Sequence, residues 1–303
     1  MDRTATGTLP PSLGFGHRLH LAALRLWRGF PWPGGRGRYF FKRLVLGGAR
    51  GQGPRPIPTD VGWLWLEWGE DVLQATLYAN GRHYEDEVTD YLVDLDLEGA
   101  CVLDVGAHAG FYAVLLARKI GPTGRLVAFE PQATLAASVR RSLGAAGAEW
   151  ATVEERAVGA EDGVLTLHLS ADSGRTTAGR LPDGELETAE VPVVRLDRFI
   201  AGRLDGPPTL IKIDIEGAEW LAVDGLGDLL DAPDAPSLVI EIHPRQIVDL
   251  GGSQDQLVER LRGHGYEISR LHHRTGLGPL EEPLPTTTTW HLLAEKRARR
   301  GQR

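Results

Sequence analysis

The chain has one cysteine, Cys101, among its 303 residues. A single cysteine excludes an intramolecular disulfide and any zinc site of the CxxC type. Its place at the head of an apolar run suits a small buried hydrophobe better than a reactive thiol. That usage fits a reducing compartment, and a cytoplasmic protein is expected. No stretch reaches the roughly 18–20 apolar residues that a membrane span requires. The apolar segment His20 to Trp27 is broken by Arg25 and followed by no small-residue cleavage pattern, so a secretory leader is not expected. Positive charge is also short: 33 Lys and Arg against 41 Asp and Glu leave a net charge of −8. Nucleic acid is therefore not expected as a partner, because phosphates call for a basic surface. Internal repeats are absent.

What remains is ordinary for a globular protein, with 42% hydrophobic and 24% charged residues. Residues 1–60 are rich in Gly, Pro and Arg and read as an N-terminal extension, with Leu19, Ala22, Ala23, Leu26 and Trp27 on the apolar face of a helix. Residues 61–296 read as one domain and 297–303 as a basic tail. The tryptophan-bearing run Trp63 to Trp68 predicts a strand, with Val72 to Tyr78 as its hairpin partner. From about Glu85 onward helices alternate with short apolar runs at Ala100–Val105, Leu126–Glu130, Thr152–Glu155, Leu210–Ile215 and Leu238–Ile242. Such alternation predicts an α/β protein with a mostly parallel, doubly wound, Rossmann-like sheet. Residues 163–199 interrupt the rhythm and read as an inserted antiparallel hairpin, while Tyr266–Leu271 and Thr288–Ala294 would close the sheet as an antiparallel pair.

The segment Asp104-Val105-Gly106-Ala107-His108-Ala109-Gly110 sits between the first core strand and its helix. Gly106 allows a tight turn and a close backbone approach to a ligand. Gly110 opens a helix whose free N–H groups face the crevice where open α/β sheets bind ligands. The G-x-G-x-x-G spacing of a dinucleotide site is missing. A carboxylate at Asp104 is awkward beside a pyrophosphate and favourable beside a cation. S-adenosylmethionine (SAM) carries a sulfonium and an ammonium and no phosphate. Glu130, at the end of the next strand, is placed to accept hydrogen bonds from two ribose hydroxyls. A tight turn plus a solvated acid would leave the same trace, and His108 reads more simply as a turn residue than as a catalyst.

These segments resemble the FkbM family of SAM-dependent methyltransferases. The resemblance is carried by Asp104 to Gly110, Phe129-Glu130-Pro131, Arg195-Leu196-Asp197, Ile211 to Glu219 and Glu241-Ile242-His243, in that order, over about residues 80–294. It implies a class I methyltransferase fold and O-methylation of a hydroxyl on a sugar or secondary metabolite, so that a small-molecule or glycan hydroxyl acceptor is the expected partner. His108 stands where the family often carries Asn.

A hydroxyl acceptor has to lose a proton, so a base or a metal is useful. Strand alternation sets Lys212, Asp214 and Glu216 on one side if the strand stays extended, and Glu241 and His243 together on the next. Asp214 is the candidate for orienting substrate or cofactor, His243 the candidate base, and Glu241 its neighbour. A divalent metal held by some of Asp214, Glu216, Glu241 and His243 is an alternative. So is a structural role, in which Lys212 pairs with one acid and His243 merely ends a strand. Glu85, with His83 and Tyr84, can reach the cofactor or serve the positive end of the following helix. Asp172 to Thr177 can form a loop over the acceptor. Rival functions are a SAM-binding module without catalysis and an NAD(P)-dependent oxidoreductase; the absence of G-x-S-x-G disfavours a hydrolase.

Overall fold

A computed structural model describes residues 14–29, 53–68, 72–81, 85–169, 187–272 and 276–296. The proposed acceptor loop Asp172 to Thr177, residues His83 and Tyr84, and the tail 297–303 lie outside them.

Helix α1 (Phe15–Gly29) is followed by a hairpin of β1 (Arg55–Thr59) and β2 (Gly62–Leu66). Among the described side chains of α1, Leu21 and Leu24 enter the core, beside Ile57 and Leu64. The expected apolar face is therefore turned outward at Leu19 and Leu26, which are exposed. The Arg28 guanidinium fastens this helix by donating to the carbonyls of Pro58, Tyr78 and Ala79. The hairpin partner of β2 is β1, not Val72–Tyr78, which forms helix α2 (Val72–Asn80). Its β-branched and aromatic residues suggest a strand. Gln74, Leu77 and Tyr78, however, are buried at helical spacing, and the Gln74 Oε1 accepts the Glu67 amide.

Next come α3 (Asp86–Asp94), β3 (Cys101–Val105), α4 (Phe111–Ile120), β4 (Arg125–Phe129), α5 (Ala133–Ala145) and β5 (Thr152–Glu154). Strands β6 (Ala157–Gly159), β7 (Gly163–Leu169) and β8 (Glu187–Arg195) form a separate three-stranded sheet, so the expected hairpin acquires a third, parallel strand. The chain then runs through α6 (Leu196–Arg203), β9 (Leu210–Ile213), α7 (Glu219–Asp224), β10 (Ser237–Ile242), α8 (Pro244–Asp249), α9 (Gln254–Gly263), β11 (Tyr266–His272), β12 (Gly276–Pro279) and β13 (Trp290–Lys296).

The main sheet has the order β12-β11-β13-β10-β9-β3-β4-β5, parallel from β10 to β5, with β13 antiparallel to β10. This is a doubly wound α/β architecture. The winding reverses between β3 and β9, which is where such sheets bind ligands beyond their carboxyl ends. Alternation along each strand feeds two apolar layers. Leu103, Val105, Ile211, Ile213, Ile240 and Ile242 face one; Val102, Leu210 and Val239 face the other. Asp104, Lys212 and Glu241 therefore interrupt the second face. Buried charges in strands that should read as continuous apolar runs single out this face as the candidate site.

Candidate active site

The loop after β3 is bent by three residues at positive φ: Gly106 (86°), His108 (49°) and Gly110 (86°). A Cβ on Gly106 would lie 1.8 Å from the Asp214 carbonyl oxygen. The expected reasons for this glycine are a tight turn and approach to a ligand; its positive φ fits the turn, and the backbone of the adjacent strand end adds a further reason. A Cβ on Gly110 would meet Val139 of α5 at 3.3 Å, and Gly110 caps α4 in the left-handed conformation. His108 tolerates that conformation at some cost, which Asn would lessen through its short polar side chain.

Glu130 holds this loop. One carboxylate oxygen accepts the His108 amide at 2.8 Å and the other the Gln132 amide at 2.9 Å. The Ala107 amide donates to the Phe129 carbonyl at 3.0 Å. Burial raises the proton affinity of Glu130, against the pull of His108 and the two amides. Glu130→Ala removes both charge-assisted bonds and should cost about 3 kcal/mol, read from denaturant unfolding.

Asp104 is wholly buried, and neither carboxylate oxygen has a hydrogen-bond partner among the described residues. The nearest cation is Lys212, opposite it in the β3–β9 register, with 4.0 Å between Nζ and Oδ1. Burial lifts the Asp104 carboxyl to about 6, opposed by Lys212 and reinforced by Asp214. Asp104, on β3, and Glu130, just past β4, act on one another electrostatically from neighbouring strands.

Lys212 bonds Asp214 at 2.9 Å and lies 4.8 Å from the centre of the Tyr112 ring. Burial works against its ammonium, but Asp214, Asp104 and Glu85 outweigh burial and tighten its hold on the proton. Asp214 is held well below the usual carboxylate range: burial opposes ionisation, and Lys212 with His243 overcomes it. The extended conformation ends at Ile213, and Glu216 has φ 50°, so simple alternation does not extend to Glu216. The turn nevertheless brings Glu216 Oε2 to 3.6 Å from His243 Nε2.

His243 caps α8 and is 5% exposed. Its Nδ1 meets Glu219 Oε1 at 2.8 Å, and Glu219 also accepts the Gly217 amide. Its Nε2 is 3.6 Å from Glu216 and equally 3.6 Å from Glu241. Burial disfavours the imidazolium, but Glu219, Glu216 and Glu241 prevail and raise its pKa well above the ordinary value. Burial, then Asp214 and Glu241, lift Glu216 to about 8 against His243.

Glu85 precedes α3 without capping it through its side chain; its Oε2 accepts the Tyr112 hydroxyl at 2.9 Å. Burial with Glu241 and Asp214 raises it to about 8. Of the residues offered to a metal, Asp214, Glu216 and His243 gather within 4.8 Å, whereas Glu241 joins Glu85 and His291 in a second group. The sequence reading missed Glu219 and His291. Glu219 closes the segment Ile211 to Glu219, five residues after Asp214, and carries a signal; His291, between Trp290 and Leu292 near the end of the chain, carries none.

The methyltransferase FkbM domain model matches residues 104–268, more than half of the chain. The AMB antimetabolite synthetase AmbE of Pseudomonas aeruginosa is 27% identical over 239 residues, covering 65% of this chain and 11% of that protein. The 31-O-demethyl-FK506 methyltransferase FkbM of Streptomyces tacrolimicus is 29% identical over 232 residues, covering 66% of this chain and 81% of the relative. Among solved structures, a putative rRNA-methylase from Clostridium thermocellum superposes with a TM-score of 0.42 at 10% identity, over 70% of this chain and 94% of that one. The match begins at Asp104, the buried acid of the crevice, and runs through Glu130, Asp214 and His243: the chain belongs to the FkbM methyltransferase family.

Proposed function

We propose that the protein transfers the methyl group of SAM to a hydroxyl oxygen of a small-molecule or glycan acceptor. The observation that carries this reading is Asp104, a buried carboxylate whose oxygens have no hydrogen-bond partner among the described residues, at the point where the winding reverses. Such a group calls for a cation. Family membership supports methyl transfer, and the relative named for a 31-O-demethyl substrate supports an oxygen acceptor.

In this reading Asp104 faces the cationic methionine end of SAM. Gly106, Ala107, His108 and Gly110 form the floor, and Glu130 takes the ribose hydroxyls. Glu85 contributes through the network that joins it to Tyr112 and Lys212. SAM supplies an already activated methyl group, so the protein has chiefly to align acceptor, methyl carbon and sulfur. Asp214, fixed by Lys212, orients the bound groups. His243 Nε2 accepts the acceptor's hydroxyl proton as the new O–C bond forms and the C–S electron pair returns to sulfur. Glu219 holds the imidazole so that Nε2 is the nitrogen turned toward Glu216 and Glu241. For base duty the imidazolium must first lose its proton, which the positive charge of the incoming cosubstrate favours.

The convergence of Asp214 and His243 on one cluster supports catalysis over a purely SAM-binding role. Calorimetry should give micromolar affinity for SAM or its demethylated product and none for NAD; the opposite pattern removes the reading. Incubation of the protein with methyl-labelled SAM and an extract of its source cells should then yield a labelled, alkali-stable ether product.

A further inference from the structure

His291 lies on β13, an interior strand, between Trp290 and Leu292, and is 7% exposed. The β10–β13 register sets it directly across from Glu241. Its Nδ1 is 3.4 Å from Glu87 Oε1, while its Nε2 is 3.7 Å from Glu85 Oε2 and 3.7 Å from Glu241 Oε2. Neither of the longer contacts is a hydrogen bond, and Nε2 has no hydrogen-bond partner among the described residues although it is sealed from solvent. A buried imidazole nitrogen is thus aimed between two carboxylates at ion-pair distance, without a hydrogen bond to either.

That spacing has a chemical meaning. Two ligand atoms at about 2.1 Å from a metal ion, subtending about 120°, stand about 3.6 Å apart. The nitrogen and the two carboxylate oxygens of Glu85, Glu241 and His291 lie within 4.8 Å of one another. Behind the ring, Glu87 occupies the place where a carboxylate commonly receives the other N–H of a metal-bound histidine and fixes its orientation. The second grouping, Asp214 with Glu216 and His243, is less suited to an ion, because the Lys212 ammonium already sits 2.9 Å from Asp214.

We propose that Glu85, Glu241 and His291 bind a divalent first-row transition-metal ion, with Glu87 as the positioning group behind His291. One imidazole and two carboxylates select Mn²⁺, Fe²⁺, Co²⁺ or Zn²⁺ over Mg²⁺, which prefers oxygen alone. Three protein ligands leave positions open for water or for an oxygen of a bound molecule. The site goes beyond methyl transfer and stands or falls on ion binding alone.

The test uses the full chain, stripped with a chelator and titrated with Mn²⁺, Co²⁺ or Zn²⁺ by calorimetry, with the visible spectrum of bound Co²⁺ as a second readout. One ion per chain is expected. His291→Ala should weaken binding at least 100-fold and Glu87→Gln about 10-fold, whereas His243→Ala should leave the ion in place. Circular dichroism checks that each variant folds; if His291→Ala does not, His291→Gln and Glu87→Gln carry the comparison. No ion uptake by the wild type overturns the proposal. So does affinity unmoved in the His291 and Glu87 variants, or binding lost in His243→Ala but kept in His291→Ala.

Discussion

Asp104→Asn is expected to weaken SAM binding sharply while making the protein more stable at alkaline pH. The two effects share one cause. Folding places a carboxyl with no hydrogen-bond partner among the described residues in a dry site and lifts its pKa to about 6. A raised carboxyl favours the protonated form, so its contribution to stability is complete in acid, below the unfolded value, and is lost as the pH climbs through about 6. Above that, the ion costs the fold about 3 kcal/mol, from a shift of about two pH units. Asparagine keeps the shape and removes the charge, and Lys212 keeps Asp214 as its partner. At pH 8 the variant's melting temperature should rise by several degrees, with the gain vanishing toward pH 4. The same carboxylate is the counter-charge for SAM, so affinity should fall at least about 100-fold. In the wild type, SAM should bind about tenfold more weakly at pH 5 than at pH 7, as Asp104 takes up its proton. Retained SAM affinity in the variant would dismiss the role given to Asp104.

His243→Ala should lower turnover by about 10²- to 10⁴-fold, the range for a positioned proton acceptor, with SAM affinity little changed. Glu219→Gln should lower it less, because the amide keeps a partner at Nδ1 and loses the negative charge that fixes the ring. The separation of kcat from binding matters here. His243 lies in a dense ionic cluster, and a merely structural role would disturb folding and SAM affinity alike. Single-turnover rates across the pH range decide the point, and an unchanged rate at every pH discards the base.

Much of this architecture can be read from the chain. Ala100–Val105, Leu126–Glu130, Leu210–Ile215 and Leu238–Ile242 are largely apolar runs of strand length, and local pattern suffices to define them. The hairpin 55–66 and helix α2 mislead because Thr76 and Tyr78 carry β propensity that the burial of Gln74, Leu77 and Tyr78 at helical spacing overrides. The third strand of the insert, Ala157–Gly159, is too short for periodicity to register. For the site, Asp104, Glu130, Asp214 and His243 stand at strand ends where position alone makes an acid or a histidine conspicuous. Glu85 and His291 become neighbours only when β13 inserts beside β10, across more than 200 residues of chain, and no spacing rule encodes that.

Glu130 spends both of its oxygens on the amides of the loop that it would help to present to a nucleoside. Its orientation is settled when the protein folds and not when a guest arrives. Recognition of the sugar then requires little freezing of side-chain motion, so SAM association should approach the speed of diffusive encounter, with discrimination against other nucleosides expressed in how fast they leave.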